Sequence, residues 1–205
     1  MSRSYGQYCG LARALDVVGD RWNLLVVRQL LVGPARYREL QDGLPGVATN
    51  LLADRLRDLE SAGVVERRLA GEGNAIEYAL TPWGAGLREP IEGLIRWSTP
   101  LMVRGPEGDR FRGEWLLVAL PALLSGRPRR SSAGTIGIAV GDVVVQVRAT
   151  RSGVEVSPHD GRDLDAVVRA EAPLVLGLAA GVLGLDTDGL DVEGDEAAVR
   201  AVFGA

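Results

Sequence analysis

The sequence contains no lysine, one cysteine and one histidine, and each scarcity narrows the possible functions. A single cysteine, Cys9, excludes a disulfide framework within this chain and a cysteine-cluster zinc site. The lone histidine, His159, stands in a polar turn without a neighbouring partner, so a metal site or a nucleophilic triad has no support. We therefore expect no catalytic residues, no metal, no cofactor and no enzymatic activity.

Long apolar runs are also missing from the sequence. No stretch reaches the roughly 18 uncharged apolar residues that would span a membrane, and the first residues are polar, unlike a signal peptide. The composition, with 46% hydrophobic and 24% charged residues, is ordinary for a globular chain. We expect a cytoplasmic protein with no membrane partner.

Charge gives little support for a nucleic-acid partner, because the net charge is −4. Residues 1–105 carry 13 Arg against 12 acidic residues, whereas residues 106–205 carry 10 Arg against 15. All the basic residues are Arg, which suits bidentate contacts with phosphate and guanine. The order of the predicted elements is therefore the stronger evidence.

The first half of the chain predicts a run of helices, then a hairpin, then another helix. Leu11, Leu15 and Val18 lie at helical spacing and predict one face of an opening helix. Asp20 is placed to cap the next helix, and Thr81 to cap the last. After the opening helix, helices are predicted at residues 22–32, 37–43, 48–62 and 81–97, and strands at 64–69 and 76–80.

This order is typical of a winged helix-turn-helix, in which the third helix of the trio enters the DNA major groove. The hairpin, or wing, reaches the DNA backbone or the minor groove beside it. Within residues 48–62, a buried stripe is predicted from Leu52, Leu56 and Leu59. The alternative interpretation is a helical domain with an incidental hairpin.

The opposite face of that helix would read the bases. Asn50 is suited to adenine, and Arg57 to guanine or phosphate, while Asp54 would orient a neighbouring Arg or accept from a cytosine amine. Arg side chains beside this helix and on the wing would contact phosphate, although each could equally be solvated surface. The full set of predicted DNA contacts is Arg36, Arg38, Thr49, Asn50, Ala53, Asp54, Arg57, Arg67, Arg68 and Asn74.

Several motifs recur together across residues 9–97: Cys-x3-Arg-Ala-Leu, Asp-Arg-Trp, Gly-Pro-x-Arg-Tyr-x-Glu-Leu and Leu-x3-Arg-Leu-x2-Leu-x3-Gly. In this combination the segment resembles the HxlR-type winged-helix regulators, which are related to the MarR regulators. The resemblance implies a homodimer, with contacts from the N-terminal helix and the helix ending near Trp97, and a palindromic operator.

Two positions depart from the family pattern. Gly10 follows the opening cysteine where the family usually has Pro. Ala48 stands where a Ser or Thr usually caps the recognition helix, which leaves Thr49 as the alternative cap and would remove it from base reading.

The resemblance also raises an alternative function for Cys9. Some members of the family sense oxidants or electrophiles through the matching cysteine, which requires an exposed thiolate with a lowered pKa. The other interpretation is a small apolar residue packed at the dimer interface. A second, ligand-binding domain favours this interpretation, because it makes a cysteine sensor redundant.

A polar segment at residues 104–109 predicts a linker between domains at 1–103 and 110–205. In the second domain, helices are predicted at 111–125, 164–170, 173–183 and 196–203, and strands at 134–140, 143–150, 154–158 and 190–193. Its C-terminal stretch, which includes Val192-Glu193-Gly194-Asp195, resembles sterol-carrier-protein-like domains. The predicted fold class is therefore mainly α with a β-wing, plus a C-terminal α+β sterol-carrier-like domain.

That second resemblance implies an apolar tunnel between sheet and helices, suited to a lipid-type small molecule. The alternative is that the same residues fill a closed core. The candidate lining residues are Trp115, Ala119, Leu120, Leu123, Val145, Val147, Leu176, Leu178 and Leu183. The leading hypothesis is a ligand-responsive repressor; the alternatives are a thiol-redox regulator and a lipid or metabolite carrier that uses the winged helix only for dimerisation.

Overall fold

The structure, a computed structural model, describes residues 4–71, 75–126, 134–150 and 153–204. The chain divides into two compact units between Ile91 and Glu92, which is earlier than the linker predicted at residues 104–109. Among the described residues, no helix is both long enough and apolar enough to cross a membrane. Each unit is built separately around its own buried residues.

The first unit is a winged helix-turn-helix. Its hairpin is antiparallel, with Val65 opposite Leu80 and Leu69 opposite Ile76. A bridge between Ala35 and Tyr78 attaches the segment before the third helix to the wing. The elements are α1 (Gly10–Val18), α2 (Asn23–Val32), α3 (Tyr37–Asp42), α4 (Thr49–Ser61), β1 (Val65–Leu69), β2 (Ile76–Leu80) and α5 (Pro82–Ala85). Helix α6 (Arg88–Ser98) begins in the first unit and ends in the second, where a 3₁₀ segment at Thr99–Arg104 follows it.

Helices α2 and α4 supply much of the first unit's core, and the predicted leucine stripe of α4 is confirmed. The fully buried side chains are Val26, Val27, Leu40, Leu44, Leu52, Leu56 and Leu59. The face predicted for α1 is only partly buried. Val18 is buried, but Leu11 is 69% exposed and Leu15 40% exposed in the single chain. Helix α1 therefore presents apolar surface that its own unit does not cover.

The two predicted caps have opposite outcomes. Thr81 caps α5, because its Oγ1 accepts a hydrogen bond from the backbone N–H of Gly84 at 3.0 Å. Asp20 does not cap α2, so that prediction is wrong. The N-cap residue is Trp22, and the carboxylate of Asp20 forms an ion pair with Arg55 instead.

The single helix predicted over residues 81–97 is two helices, α5 and α6. Pro90 lies in the first turn of α6, where its missing N–H costs no hydrogen bond. An unbroken helix would place the proline ring against the carbonyl of Gly86, four residues earlier. The chain therefore turns at residues 86–87 and restarts the helix at Arg88.

The second unit packs helices against a five-stranded sheet in the order β5-β4-β3-β6-β7. Strands β3 and β6 are parallel, and the other neighbouring pairs are antiparallel. After a 3₁₀ turn at Gly113–Trp115, the elements are α7 (Leu116–Leu124), β3 (Thr135–Val140), β4 (Val143–Thr150), β5 (Gly153–Pro158), β6 (Ala166–Arg169), α8 (Ala172–Ala180), β7 (Asp191–Gly194) and α9 (Glu196–Phe203).

One predicted helix of the second unit, at residues 164–170, is wrong. The structure places strand β6 there, with Ala166 opposite Ile136 and Val168 opposite Ile138 of β3. Ala166 and Val168 are buried, whereas Arg169 is exposed, which is the period of two expected for a strand. So short an apolar run does not separate a strand from a helix by periodicity alone.

Gly84 is a position where the fold requires the absence of a side chain. A Cβ atom there would lie 2.0 Å from the carbonyl oxygen of Val64. We expect Gly84→Ala to lower the free energy of unfolding by about 1–3 kcal/mol, because α5 must move away from that carbonyl. Urea unfolding followed by circular dichroism measures the change.

Gly33→Ala is the matched control, since a Cβ at Gly33 meets nothing within 4 Å. We expect it to change the free energy of unfolding by less than about 0.5 kcal/mol. Equal unfolding midpoints for the two variants would contradict the close approach of α5 to Val64.

Candidate nucleic-acid interface

Two side chains of α3 hold the first residue of α4. The hydroxyl of Tyr37 donates to the carbonyl oxygen of Thr49 at 2.7 Å. The side-chain amide of Gln41 donates to Oγ1 of Thr49 at 2.8 Å. The intervening turn includes Gly46, whose φ of +86° favours glycine. These contacts fix the position of α4 relative to α3.

Tyr37 and Gln41 are not predicted as site residues from the sequence, although their spacing in the sequence indicates that they act together. They lie four residues apart, and therefore on one face of a helix. They make no predicted base contact themselves, and their partner is known only once the turn between the two helices is built.

The outward face of α4 carries the predicted base-reading residues. Asn50 and Arg57 are exposed, whereas Ala53 and Asp54 are half-buried. The carboxylate of Asp54 forms an ion pair with Nη2 of Arg57, which is the orienting contact expected of it. Asn50 makes no side-chain hydrogen bond to any described residue, so its amide is open to a base.

Thr49 does not take over the cap of the recognition helix, so that prediction is wrong. The N-cap residue is Ala48, which has no side chain able to accept a hydrogen bond. Thr49 is the first helical residue, and its hydroxyl accepts from Gln41. An N–H at the start of α4 is therefore left without a capping side chain, although Thr49 itself is exposed.

Arg36 and Arg38 flank the start of α3. The backbone N–H of Arg36 donates to Oε2 of Glu39 at 2.6 Å, which stabilises the first turn of α3. Both guanidinium groups are exposed and form no ion pair with any described residue. They are the cations of this face most available to a phosphate.

The wing arginines, in contrast, are already paired. Nε of Arg67 lies 2.8 Å from Oε1 of Glu60, and Nε of Arg68 lies 2.7 Å from Oε1 of Glu77. The hydrogen bond to Glu60, together with the charge of that carboxylate, raises the pKa of Arg67. The remaining wing prediction, Asn74, lies outside the described residues, and the DNA-contact roles of all these residues stay predictions.

Cys9 is the N-cap residue of α1 and is exposed. Hydrogen bonds from the backbone amides of Ala12 and Leu11 stabilise the thiolate and lower the pKa of Cys9. Before α1, the backbone N–H of Tyr5 donates to Oδ1 of Asp16 at 2.8 Å and ties the leading segment to the helix. Exposure and a lowered pKa are the two properties that a reactive thiol requires.

Large apolar side chains are exposed at both places where the family resemblance implies dimer contacts. At the N-terminus and on α1 these are Tyr5, Tyr8, Leu11 and Leu15. On α6 and the following 3₁₀ segment they are Leu94, Trp97, Leu101 and Met102. Each of these surfaces is of the apolar kind that protein interfaces bury.

The predicted ligand-lining residues lie in and around the core of the second unit. Leu120, Val145, Val147 and Leu178 are fully buried, and Leu123 and Leu176 pack against the same cluster. Ala119 is half-buried on α7. The rings of Trp115 and Phe111 pack edge to face, with their centroids 5.6 Å apart. Leu183 lies close to Gly177, because a Cβ atom added to that glycine would lie 2.6 Å from Cδ1 of Leu183. Their role in binding a ligand stays a prediction.

A cavity of about 480 Å³ opens elsewhere in the second unit, at the carboxyl ends of β3 and β6 and the start of α8. None of the predicted ligand residues lines it. Its lining residues are Pro106, Asp109, Phe111, Ala139, Val140, Gly141, Arg169, Ala170, Glu171, Ala172 and Pro173. No group of three or more metal-ligating side chains occurs in the part of the chain that the structure describes.

Comparison with known proteins places the first unit in a family. The HxlR-like helix-turn-helix family pattern matches residues 17–105. The HTH-type transcriptional regulator YvaP of Bacillus subtilis, itself uncharacterized, is 38% identical over 88 residues, covering 42% of this chain and 82% of YvaP. The HTH-type transcriptional regulator YodB of the same species is 33% identical over 86 residues, covering 42% of this chain and 77% of YodB. The solved reduced form of YodB aligns with a TM-score of 0.42 at 30% identity, over 48% of this chain and 99% of that chain.

The lowered pKa of Cys9 gives a direct prediction. At a pH below the usual titration range of a thiol, the folded chain holds more thiolate than the unfolded chain. We expect the pH midpoint for alkylation by iodoacetamide to lie lower in the folded protein than in urea. Since Cys9 is the only cysteine of the sequence, all of the reaction reports on it. Coincident midpoints would show that the amides of α1 do not stabilise the thiolate.

Proposed function

Because the chain belongs to the HxlR-like helix-turn-helix family of transcriptional regulators, we propose that it is a repressor that binds a palindromic operator as a homodimer. We propose further that an apolar small molecule in the second unit modulates this binding. DNA binding is the part of this function that the family supports directly. Four parts of the proposal go beyond family membership: the dimer, the symmetry of the operator, repression as the sign of regulation, and the effector.

The observation that supports DNA reading best is the presentation of α4. Its inner face is buried, its first residue is held by Tyr37 and Gln41, and Asn50 and Arg57 project outward. A helix fixed in this way can enter the major groove, where Asn pairs with adenine and Arg with guanine. Asp54 restricts the guanidinium of Arg57, which favours a directed contact over a mobile one.

Phosphate contacts are assigned first to Arg36 and Arg38, which have no acidic partner among the described residues. Arg67 and Arg68 must exchange Glu60 and Glu77 for phosphate, so each contributes less net attraction. This division agrees with the near-neutral charge of the first 105 residues, 13 Arg against 12 acidic residues.

Dimerisation is supported by the uncovered apolar surfaces of α1 and α6. Burial of these surfaces against a second copy would stabilise a dimer. The exposed side chains are Leu11 and Leu15 on α1 and Leu94 and Trp97 on α6. A symmetric dimer presents two recognition helices to two half-sites, which is why the operator is proposed to be palindromic.

The effector proposal rests on the second unit. Its helices and its mixed five-stranded sheet form an α+β unit, and the sterol-carrier-like resemblance of its sequence implies an apolar site in such a unit. The cavity of about 480 Å³ lies in the range of small-molecule sites, and Phe111, Val140 and Pro173 give it apolar walls. An effector changes DNA binding only if it binds two conformations of the protein with different affinity.

The first prediction of this proposal concerns the reading face. We expect Arg57→Ala and Asn50→Ala each to weaken binding to the operator by about 1–3 kcal/mol and to relax base preference at one position of each half-site. Fluorescence anisotropy with DNA from upstream of the protein's own gene measures this. Arg38→Ala should weaken binding to all sequences and reduce the salt slope by about two, since each protomer of the dimer loses one phosphate contact.

Arg148→Ala is the matched control, because Arg148 is exposed and belongs to the second unit. Undiminished binding by Arg57→Ala would contradict the assignment of α4 as the reading helix. Absence of sequence-specific DNA binding by the wild-type chain would favour the carrier alternative, in which the winged helix serves only dimerisation.

The second prediction concerns the cavity. Pro173 lines it and is exposed in the first turn of α8, so Pro173→Trp should fill the space without unfolding the unit. We expect this variant to lose binding of anilinonaphthalene sulfonate, an amphiphilic dye whose fluorescence rises at apolar sites, and to lose its displacement by palmitate. Val182→Trp is the control, since Val182 is exposed in the same unit and does not line the cavity. Equal dye binding by Pro173→Trp and Val182→Trp would show that the dye does not bind in this cavity.

A thiol switch at Cys9 is the second candidate function, favoured by its exposure and lowered pKa. With one cysteine in the sequence, a disulfide would have to join two chains or a chain and a small thiol. A Cys9→Ser variant decides between the mechanisms. Loss of DNA release by diamide, with the palmitate response retained, would establish the thiol switch; an unchanged diamide response would exclude it.

A further inference from the structure

The turn between α1 and α2, residues 19–22, contacts the recognition helix. The carboxylate of Asp20 forms an ion pair with Nη1 of Arg55 on α4. Nη2 of the same guanidinium lies 3.1 Å from Oδ2 of Asp58, one turn further along α4. The Arg55 side chain is 16% exposed and that of Asp20 66% exposed, so the cation is largely enclosed and the anion reaches it from the surface.

Arg55 belongs neither to the predicted base-reading face of α4 nor to its buried leucine stripe. It lies on a flank of α4, between the buried leucine stripe and the face that presents Asn50 and Arg57. Its Nε is buried and has no hydrogen-bond partner among the described residues. Enclosing a guanidinium with one donor unsatisfied is unfavourable, so stability alone is a poor explanation for this pair.

A second contact joins the same turn to the helix-turn-helix. Trp22 has a φ of +85°, a left-handed conformation that is unfavourable for a bulky residue and persists only where its surroundings hold it. Gly46 lies in the turn between α3 and α4, and a Cβ atom added to it would lie 3.9 Å from Cη2 of Trp22. The guanidinium of Arg21 covers the ring at 5.8 Å. The strained residue therefore abuts the turn that leads into the recognition helix.

The other side of the turn is fixed to α1. The backbone N–H of Gly19 donates to the carbonyl of Leu15 at 2.9 Å. The side-chain amide of Asn23, which is 1% exposed, donates to the carbonyl of Val17 at 3.0 Å. Residues 19–23 thus connect the last turn of α1 to two points on the DNA-reading motif.

We propose that Asp20 and Arg55 are a positioning pair that sets the angle at which α4 is presented relative to α1. The proposal rests on the DNA-binding dimer proposed above. Since α1 carries implied dimer contacts, its angle to α4 fixes the separation of the two recognition helices in the dimer. That separation selects the spacing of the operator half-sites.

The test compares Asp20→Asn, Arg55→Gln and the double variant. Arg148→Gln, which removes an exposed arginine paired with Glu155, is the matched control. The operator is first located by footprinting the DNA upstream of the protein's own gene. Anisotropy is then measured on that operator and on duplexes with a single base pair added or removed between the half-sites. We expect each single variant to lose about three- to thirtyfold in affinity for the natural spacing, and less for the altered ones.

The double variant should bind no worse than the weaker single variant, because both changes remove one interaction. Equal losses on all spacings, or additive losses in the double variant, would overturn the proposal. Arg57→Ala provides the comparison, since it should weaken all spacings alike.

Hydrogen exchange of the peptide spanning residues 49–61 tests the pair without DNA. We expect faster exchange in Asp20→Asn and in Arg55→Gln at an unchanged urea midpoint, and no change in Arg148→Gln. Unchanged exchange in the two pair variants would also overturn the proposal. If the wild-type chain binds no duplex, the proposed function fails while the exchange result still decides whether the pair positions α4.

Discussion

The first unit depends on one constraint, which is that α4 must be held rigidly by its inner side while its outer side stays bare. Leu52, Leu56 and Leu59 are buried and anchor that inner face. Hydrophobic burial sets which side faces inward, but it is non-directional and leaves sliding and rotation open. The directional contacts made by Tyr37 and Gln41 to Thr49 supply what burial cannot. The residues on the outer face of α4 can then differ between proteins without changing the position of the helix.

Much of this unit could be predicted from the sequence, because its signals are local. The leucine stripe of α4 has helical spacing, and Thr81 with Pro82 is a strong start signal, so both predictions are confirmed. The prediction for Asp20 failed because its carboxylate is used by Arg55, which is 35 positions later in the numbering and carries no local mark. The spacing of apolar residues on α1 does not by itself show that Leu11 and Leu15 are exposed, since spacing defines an apolar face but not what covers it.

The second unit shows the same limit at the level of topology. The meander of β3, β4 and β5 follows from alternation and turns, but β6 forms by pairing with β3 in parallel, across an intervening connection. Its four residues read equally well as one helical turn, so only the partner strands decide. The cavity has a similar origin, because it lies where the ends of β3 and β6 meet the start of α8, and residues such as Pro106 and Pro173 come together only in the fold.

The paired guanidinium groups of the wing have a consequence for how such a protein moves through a genome. Each wing arginine that keeps its own carboxylate offers little to an arbitrary stretch of DNA, so loose sequence-independent attachment is weakened. If the wing contacts DNA as proposed, such a regulator would spend a smaller fraction of its time bound non-specifically to the chromosome and a larger fraction diffusing between sites. Its occupancy of a promoter would then depend chiefly on base recognition.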